Sequence, residues 1–330
     1  MKAFANRNPR DLRQAIALLS EARAQHRSVS VVGGGSDLLG MIKERLVEPD
    51  LLVNLKLIRG LDQVSAQNDA VKIGGLITLD ALSHNPLIRS RYTALAEAAE
   101  KVGTPQIRNV GTLAGNICQR PWCWYFRNGF PCFKNGGDVC YAFAGENQFH
   151  AIFGGEPSYI VHPSDTAPAL VALDAAFRLV GPSGERTVPA GEFFTLPGDD
   201  VTRENVLAND ELLAAVHLPP ARRNVRSTYY KVLDREAWTH AVVSVAVVLE
   251  MDRNVCRSAR IVLGGVAPIP WRLPKVEALL AGQPITPQLA AKAGESATSG
   301  ATALAKNRYK IRLTKAVVKR TLLSLASDRL

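Results

Sequence analysis

The 330-residue sequence predicts an α+β protein in three parts. Three observations lead there. A small strand–helix–strand unit with a glycine-only turn lies near the start. A helix-rich stretch follows, interrupted by a cysteine-bearing aromatic loop. Beyond Pro219-Pro220 come hydrophobic strands, and then helices.

Residues 9–25 read as a helix, with Pro9 suited to its first turn and Leu12, Ala15, Ile16, Leu18 and Leu19 on one face. Val29-Ser30-Val31-Val32 is a strand that runs into Gly33-Gly34-Gly35-Ser36, and a helix follows over 37–44. Residues 51–55 form the next strand. A second region opens with strand-like Val71-Lys72-Ile73-Gly74-Gly75, then helices over 78–84 and 92–102. Residues 175–180 form a strand that ends in the turn Gly181-Pro182-Ser183-Gly184. Pro219-Pro220 with Arg222-Arg223 reads as a linker. Strands are expected over 228–233, 242–250 and 260–263, and helices over 274–280, 287–297 and 307–326. No internal repeat or low-complexity tract is present.

Composition narrows the function. The formal charge is +10, but the basic residues are spread along the chain without a nucleic-acid motif, so solubility or docking onto an acidic partner or anionic cofactor is the better reading. The densest basic stretch, 306–320, carries Ile311, Leu313, Val317 and Val318 at helical spacing and is expected to be the solvated face of a C-terminal helix. No run is long enough for a membrane span, and the first residues lack the apolar stretch of a signal peptide. The expected location is cytoplasmic, or periplasmic if the chain is exported with a signal-bearing partner.

Four of the five cysteines, Cys118, Cys123, Cys132 and Cys140, fall within 23 residues. Thiols clustered in a Gly/Pro-rich loop share a metal centre or form disulfides; without an export signal, metal is favoured. An iron–sulfur cluster and tetrahedral zinc both remain open at this level, and His150 is a possible substitute for one thiolate. The aromatic residues around the thiols, Trp122, Trp124, Tyr125, Phe126, Phe130 and Phe133, would shield such a centre or form a mini-core for a long loop. Cys256 stands alone and reads as an ordinary structural cysteine.

Gly33-Gly34-Gly35-Ser36 lies between a strand and a helix, where bare backbone N–H groups can converge on an anion. Gly111-Thr112-Leu113-Ala114-Gly115-Asn116 is a second small-residue turn, and His162-Pro163-Ser164-Asp165 a third, with Ser164 or Asp165 placed to cap a helix over 167–173. Each alone is also explained as a tight turn. A soft metal centre beside a nucleotide site suggests electron transfer.

Order and context join these motifs. Gln106-Ile107-Arg108-Asn109-Val110-Gly111-Thr112-Leu113-Ala114-Gly115-Asn116 resembles a signature of the FAD-binding medium subunit of the xanthine dehydrogenase, or molybdenum hydroxylase, family. So do Val31-Val32-Gly33-Gly34-Gly35-Ser36-Asp37-Leu38-Leu39, the Pro163-Ser164-Asp165 turn, and Tyr230-Lys231-Val232 with Arg235. The resemblance spans almost the whole chain; Ser36 stands where many members have Thr. It implies a two-subdomain FAD-binding domain of the vanillyl-alcohol-oxidase/xanthine-dehydrogenase type, over 1–57 and 58–220, and a C-terminal α+β domain over 221–330 like that of carbon monoxide dehydrogenase flavoproteins. It places Val32, Gly33, Gly34, Gly35, Ser36, Asp37 and Leu38, with Gly111, Thr112, Gly115 and Asn116, at the diphosphate. Ser164 and Asp165 fall at the adenosine ribose and Lys231 near the flavin.

Most members lack residues 118–155. Those with such an insertion resemble the FAD subunits of bacterial aldehyde oxidoreductase and 4-hydroxybenzoyl-CoA reductase, which carry an extra [4Fe-4S] cluster there. In the aldehyde oxidoreductase branch a fourth cysteine is expected just before the His-Pro-Ser-Asp turn, where this chain has Pro157-Ser158-Tyr159-Ile160-Val161. Cys118 is therefore expected to complete a ligand set with Cys123, Cys132 and Cys140. The resemblance implies an oxidoreductase subunit without catalytic residues of its own, partnered by a molybdopterin-binding large subunit and a [2Fe-2S] small subunit. It would pass electrons to an external acceptor. A stand-alone FAD oxidase and an inert metal-stabilised assembly module are the alternatives.

Overall fold

The structure, a computed structural model, describes residues 1–235 and 239–327. The first part is a three-stranded parallel sheet with Leu51–Asn54 between Ala5–Arg7 and Val29–Val32. Helix Leu12–Ala24 covers it through Ala15, Ile16, Leu19 and Ala22. That helix begins later than Pro9 because the Asp11 side chain accepts from Gln14 N at 2.8 Å and fixes the N-terminus there. The turn Gly33–Ser36 leaves the C-terminal end of Val29–Val32, the usual position for a ligand-binding loop on a parallel sheet.

The second sheet is antiparallel throughout, in the order Val64–Gln67, Ala70–Gly74, Leu212–Leu218, Ala176–Gly181, Gly184–Pro189. Three of these strands are absent from the sequence expectation, and each for a reason. Gly184–Pro189 is exposed almost throughout and shows no hydrophobic alternation. Val64–Gln67 is only four residues long and carries a single large apolar side chain, Val64. Leu212–Leu218 is buried on both faces, so it reads as a featureless apolar run. Helices Leu79–His84, Thr93–Glu100, Leu113–Ile117 and Thr166–Ala172 share one core with this sheet, centred on Leu82, Leu95, Leu113 and Phe177.

The third sheet runs Trp271–Arg272, Val255–Gly264, Val243–Asp252, Val225–Val232, all antiparallel. Its two faces divide by strict alternation. Tyr229, Ala246, Val248 and Val262 face the central core, and Val245, Val247, Leu249 and Ile261 face the C-terminal helices. Burial on both sides makes Val243–Asp252 nearly continuous in hydrophobicity. Helices Pro274–Leu280, Pro287–Ser296 and Tyr309–Ala326 cover the outer face. This architecture is the mixed α/β fold expected.

One expectation is corrected here. The C-terminal basic helix is not solvated on its whole cationic side. Lys310 is fully buried, and its Nζ donates to the carbonyls of Phe149 at 2.7 Å, His150 at 3.1 Å and Gly265 at 2.7 Å. The ammonium thus ties the end of the cysteine loop to the third sheet. Among the described residues no helix is long and apolar enough to cross a membrane.

Candidate functional site

The two glycine turns touch. A Cβ on Gly34 would stand 1.9 Å from Val110 O, and one on Gly33 would stand 2.9 Å from Thr112 Oγ1. Only glycine permits this approach. Gly35 has φ +78°, a left-handed conformation that also favours glycine. Thr112 Oγ1 accepts from Gly115 N at 3.2 Å, so the second motif is a turn followed by the capped five-residue helix Leu113–Ile117. Gly115 and Asn116 lie inside that helix rather than in a loop.

Two cavities open where the turns meet. The larger, about 300 Å³, is walled by Ser36, Gly111, Asn116, Trp122, Asp165 and His240 among others. The smaller, about 170 Å³, runs along Val32, Gly33, Gly35 and Leu38. Ser36, Asp37, Thr112, Gly115 and Gln119 belong to both. The two cavities therefore adjoin, one along bare backbone and the other a more apolar chamber, as suits an elongated anionic ligand with a planar end.

Asp37 does not simply face this channel. Its Oδ1 meets Arg127 Nη1 at 2.8 Å and its Oδ2 accepts from Arg120 N at 3.1 Å. Both oxygens are thus spent on the cysteine loop, which neutralises a carboxylate beside the place where a diphosphate would lie. Arg127 also lies 4.5 Å from the Trp122 ring centroid, and Trp122 packs at 5.1 Å on His240. Burial lowers the His240 pKa to about 4, so the ring is neutral at physiological pH.

Ser164, Asp165 and Lys231 converge, but not as expected. Ser164 Oγ accepts from Ala167 N at 3.0 Å, so Ser164 rather than Asp165 caps helix Thr166–Ala172. The same hydroxyl and that of Thr166 donate to Asn116 Oδ1 at 2.6 and 2.7 Å, binding the third motif to the second. Asp165 is held by Lys231 Nζ at 2.7 Å and Tyr229 O–H at 2.6 Å. Burial pushes its carboxyl above the usual range, against the pull of both partners. Lys231 Nζ also donates to Lys101 O at 2.9 Å and is buried behind Asp165. Asp165 and Lys231 form a buried ion pair, with Asp165 at the cavity wall.

The sequence reading missed three residues here. Trp122 was assigned to shield the thiols, yet it is 47% exposed and walls the cavity. His240 sits in a loop whose sequence has no distinguishing pattern. Arg127 is one of many basic residues, and only folding brings it to Asp37.

The cysteine loop has only two short helical turns, Trp124–Arg127 and Phe133–Asn135. All five cysteines are free thiols. A bridge between Cys132 and Val139 brings Cys140 back beside Cys132. Cys123 and Cys132 share a small apolar cluster with Phe126 and Met41. Burial above all, with nearby Cys140 and Cys132, pushes the Cys123 thiol up to about 11. His150 Nε2 lies 3.3 Å from Cys123 Sγ.

Cys118 packs against the central core beneath the glycine turns, and burial lifts its thiol to about 12. Among the described residues, no three His, Cys, Asp or Glu side chains gather around a single-ion position. Cys256 is buried in the third sheet, away from all of them.

Comparison with known proteins matches the geometry. Residues 2–221 match the family described as the FAD binding domain in molybdopterin dehydrogenase, and residues 228–325 the CO dehydrogenase flavoprotein C-terminal domain. The chain is 33% identical, over 90% of both sequences, to the aldehyde oxidoreductase FAD-binding subunit PaoB of Escherichia coli. It is 28% identical to the carbon monoxide dehydrogenase medium chain of Hydrogenophaga pseudoflava, over 89% of this chain and 85% of that one. A solved carbon monoxide dehydrogenase from that organism superimposes with a TM-score of 0.77 at 26% identity, covering 98% of this chain and 96% of that one.

Proposed function

The chain belongs to the FAD-binding medium subunits of the molybdenum hydroxylase family, and from that membership we propose that it is the flavin subunit of an aldehyde-oxidising complex. A molybdopterin-binding large subunit would oxidise the substrate, and a [2Fe-2S] small subunit would deliver the electrons. FAD, which exchanges electrons singly or in pairs, would hand them to an external acceptor.

The observation that carries the flavin reading is the contact of the two glycine turns over a channel walled by Asp165, Trp122 and His240. The backbone N–H groups of Gly33–Ser36 suit a diphosphate there, whereas those of Leu113, Ala114 and Gly115 already donate to Ile77 O, Gly75 O and Thr112 Oγ1. The following helices are short, six and five residues, so these local donors matter more than a helix dipole. Arg127 removes the charge of Asp37 from the phosphate path. Asn116, already accepting two hydroxyls, is fixed in orientation at the cavity wall.

The cysteine loop suits an iron–sulfur cluster better than a single ion. Cubane ligands bind different irons, so their donors surround a cluster-sized space rather than one point. Three thiols, Cys123, Cys132 and Cys140, lie close together among aromatic rings and satisfy the soft-donor requirement. Through Arg127 the same loop contacts the proposed flavin channel, so a cluster held there would lie near the flavin.

Gly115→Leu tests the flavin site. A Cβ at Gly115 meets only the Thr112 hydroxyl, at 2.9 Å, so a leucine projects into the channel without colliding with backbone. Flavin content should fall while the chain remains folded. Full FAD occupancy in this variant would remove the glycine turns from the binding site. Gly34→Leu is the poorer test, because its side chain would break the contact with Val110 itself.

A further inference from the structure

We propose that Arg120 is a phosphate-binding residue, a cation that the cysteine loop supplies to the diphosphate of FAD at the first glycine turn. This rests on the flavin reading given above.

The first ground is position. Arg120 borders the smaller cavity together with Gly33, Gly34, Gly35 and Ser36. Its backbone is tied to that turn. Arg120 N donates to Asp37 Oδ2 at 3.1 Å, and Arg120 O accepts from Arg127 Nη2 at 2.8 Å. Arg127 Nη1 in turn pairs with Asp37 Oδ1 at 2.8 Å. A closed ring of contacts among Asp37, Arg120 and Arg127 thus holds Arg120 at the turn without engaging its own guanidinium.

The second ground is unused hydrogen-bonding capacity. Arg120 Nε stands 2.8 Å from Glu204 Oε2, and Cζ lies 4.9 Å from the Phe126 ring centroid. These contacts orient the guanidinium through one of its nitrogens. Neither Nη1 nor Nη2 has a hydrogen-bond partner among the described residues, and Nη2 is buried. Buried donors are ordinarily paired. The side chain as a whole is 28% exposed, so it is not sealed inside the protein. An oriented planar fork with free donors suits phosphate oxygens.

The third ground is charge. Buried Glu204 is shared, with Lys134 Nζ at 2.9 Å from Oε1 and Arg120 at Oε2. Asp37 is already matched by Arg127. Arg120, Arg127 and Lys134 therefore face only Asp37 and Glu204, and one positive charge is left over beside the turn. Asp200 also acts on Lys134, but Arg203 acts on Asp200 in turn, so the surplus stands. The second glycine turn cannot take over this role, because the N–H groups of Leu113, Ala114 and Gly115 are already used.

A purely structural role for Arg120, as a staple from the cysteine loop to Glu204, would make the same protein contacts. It would not depend on the phosphates of the ligand.

The test uses the native complex, stripped of flavin and titrated with FAD and with riboflavin, which has the same ring system and no phosphate. Arg120→Gln should weaken FAD binding about tenfold or more, the loss expected for a charge-assisted hydrogen bond. Riboflavin affinity should stay at the wild-type level. Glu204 keeps Lys134 as its partner in this variant, so the chain should fold. Arg120→Lys should recover part of the FAD affinity, since it keeps the charge and loses the fork. Wild-type FAD affinity in Arg120→Gln would overturn the proposal. So would equal losses for FAD and riboflavin, which would assign Arg120 to holding the loop, or an Arg120→Lys variant no tighter than Arg120→Gln. Full FAD occupancy in Gly115→Leu, or no FAD binding by the wild-type complex, would instead overturn the flavin reading itself.

Discussion

Arg127 in the cysteine loop pairs with Asp37 in the first glycine turn at 2.8 Å, with both side chains largely buried. The insertion is therefore mechanically part of the flavin channel rather than an appendage. Arg127 also lies against Trp122, which walls that channel one residue before Cys123. A change in the cysteine loop therefore has a short path to the first glycine turn.

Arg127→Ala should weaken FAD binding about tenfold, a change of roughly 1.4 kcal/mol. The loss arises because the Asp37 carboxylate is left uncompensated beside the diphosphate. Adding Asp37→Asn to this variant should recover most of the affinity. Flavin titration of the single and double variants decides the point; no recovery would mean that Arg127 acts through packing rather than charge.

Lys231→Met should destabilise the chain by about 3–5 kcal/mol, because it leaves Asp165 buried without its cation. The double variant Lys231→Met, Asp165→Asn should be milder than Lys231→Met alone. Denaturant midpoints of the set measure the coupling. Equal destabilisation by the single and double variants would show that Tyr229 alone satisfies Asp165.

Acid should loosen the His162 turn. Burial lowers the His162 pKa to about 4, against an unfolded value near 6.5. The unfolded chain gains a proton before the folded one does. Stability is therefore full above pH 6.5 and falls as pH drops towards 4, by about 3 kcal/mol for this residue. His162→Asn should show a shallower decline over that window; an unchanged slope would mean that His162 titrates normally.

Much of this molecule is legible in its sequence, for physical reasons that differ by region. The glycine turns can be read because close backbone approach at Gly34 and a left-handed φ at Gly35 favour glycine. The C-terminal strands and helices can be read because each has a clear apolar period. Leu212–Leu218 is not legible, since burial on both faces erases alternation. The pairing of Lys231 with Asp165 joins residues 66 positions apart and leaves no local trace. Cys118 follows helix Leu113–Ile117 and packs against the central core, a placement that its spacing from Cys123 does not show.

Purification of the native complex through a tag on this chain brings the flavin and partner assignments into one experiment. The account predicts FAD equimolar with the chain, and molybdopterin-bearing and [2Fe-2S] subunits that co-purify. It also predicts aldehyde oxidation by the complex and none by the chain expressed alone. A colourless chain that purifies without partners would contradict it, as would sustained aldehyde turnover by the isolated flavin-loaded chain.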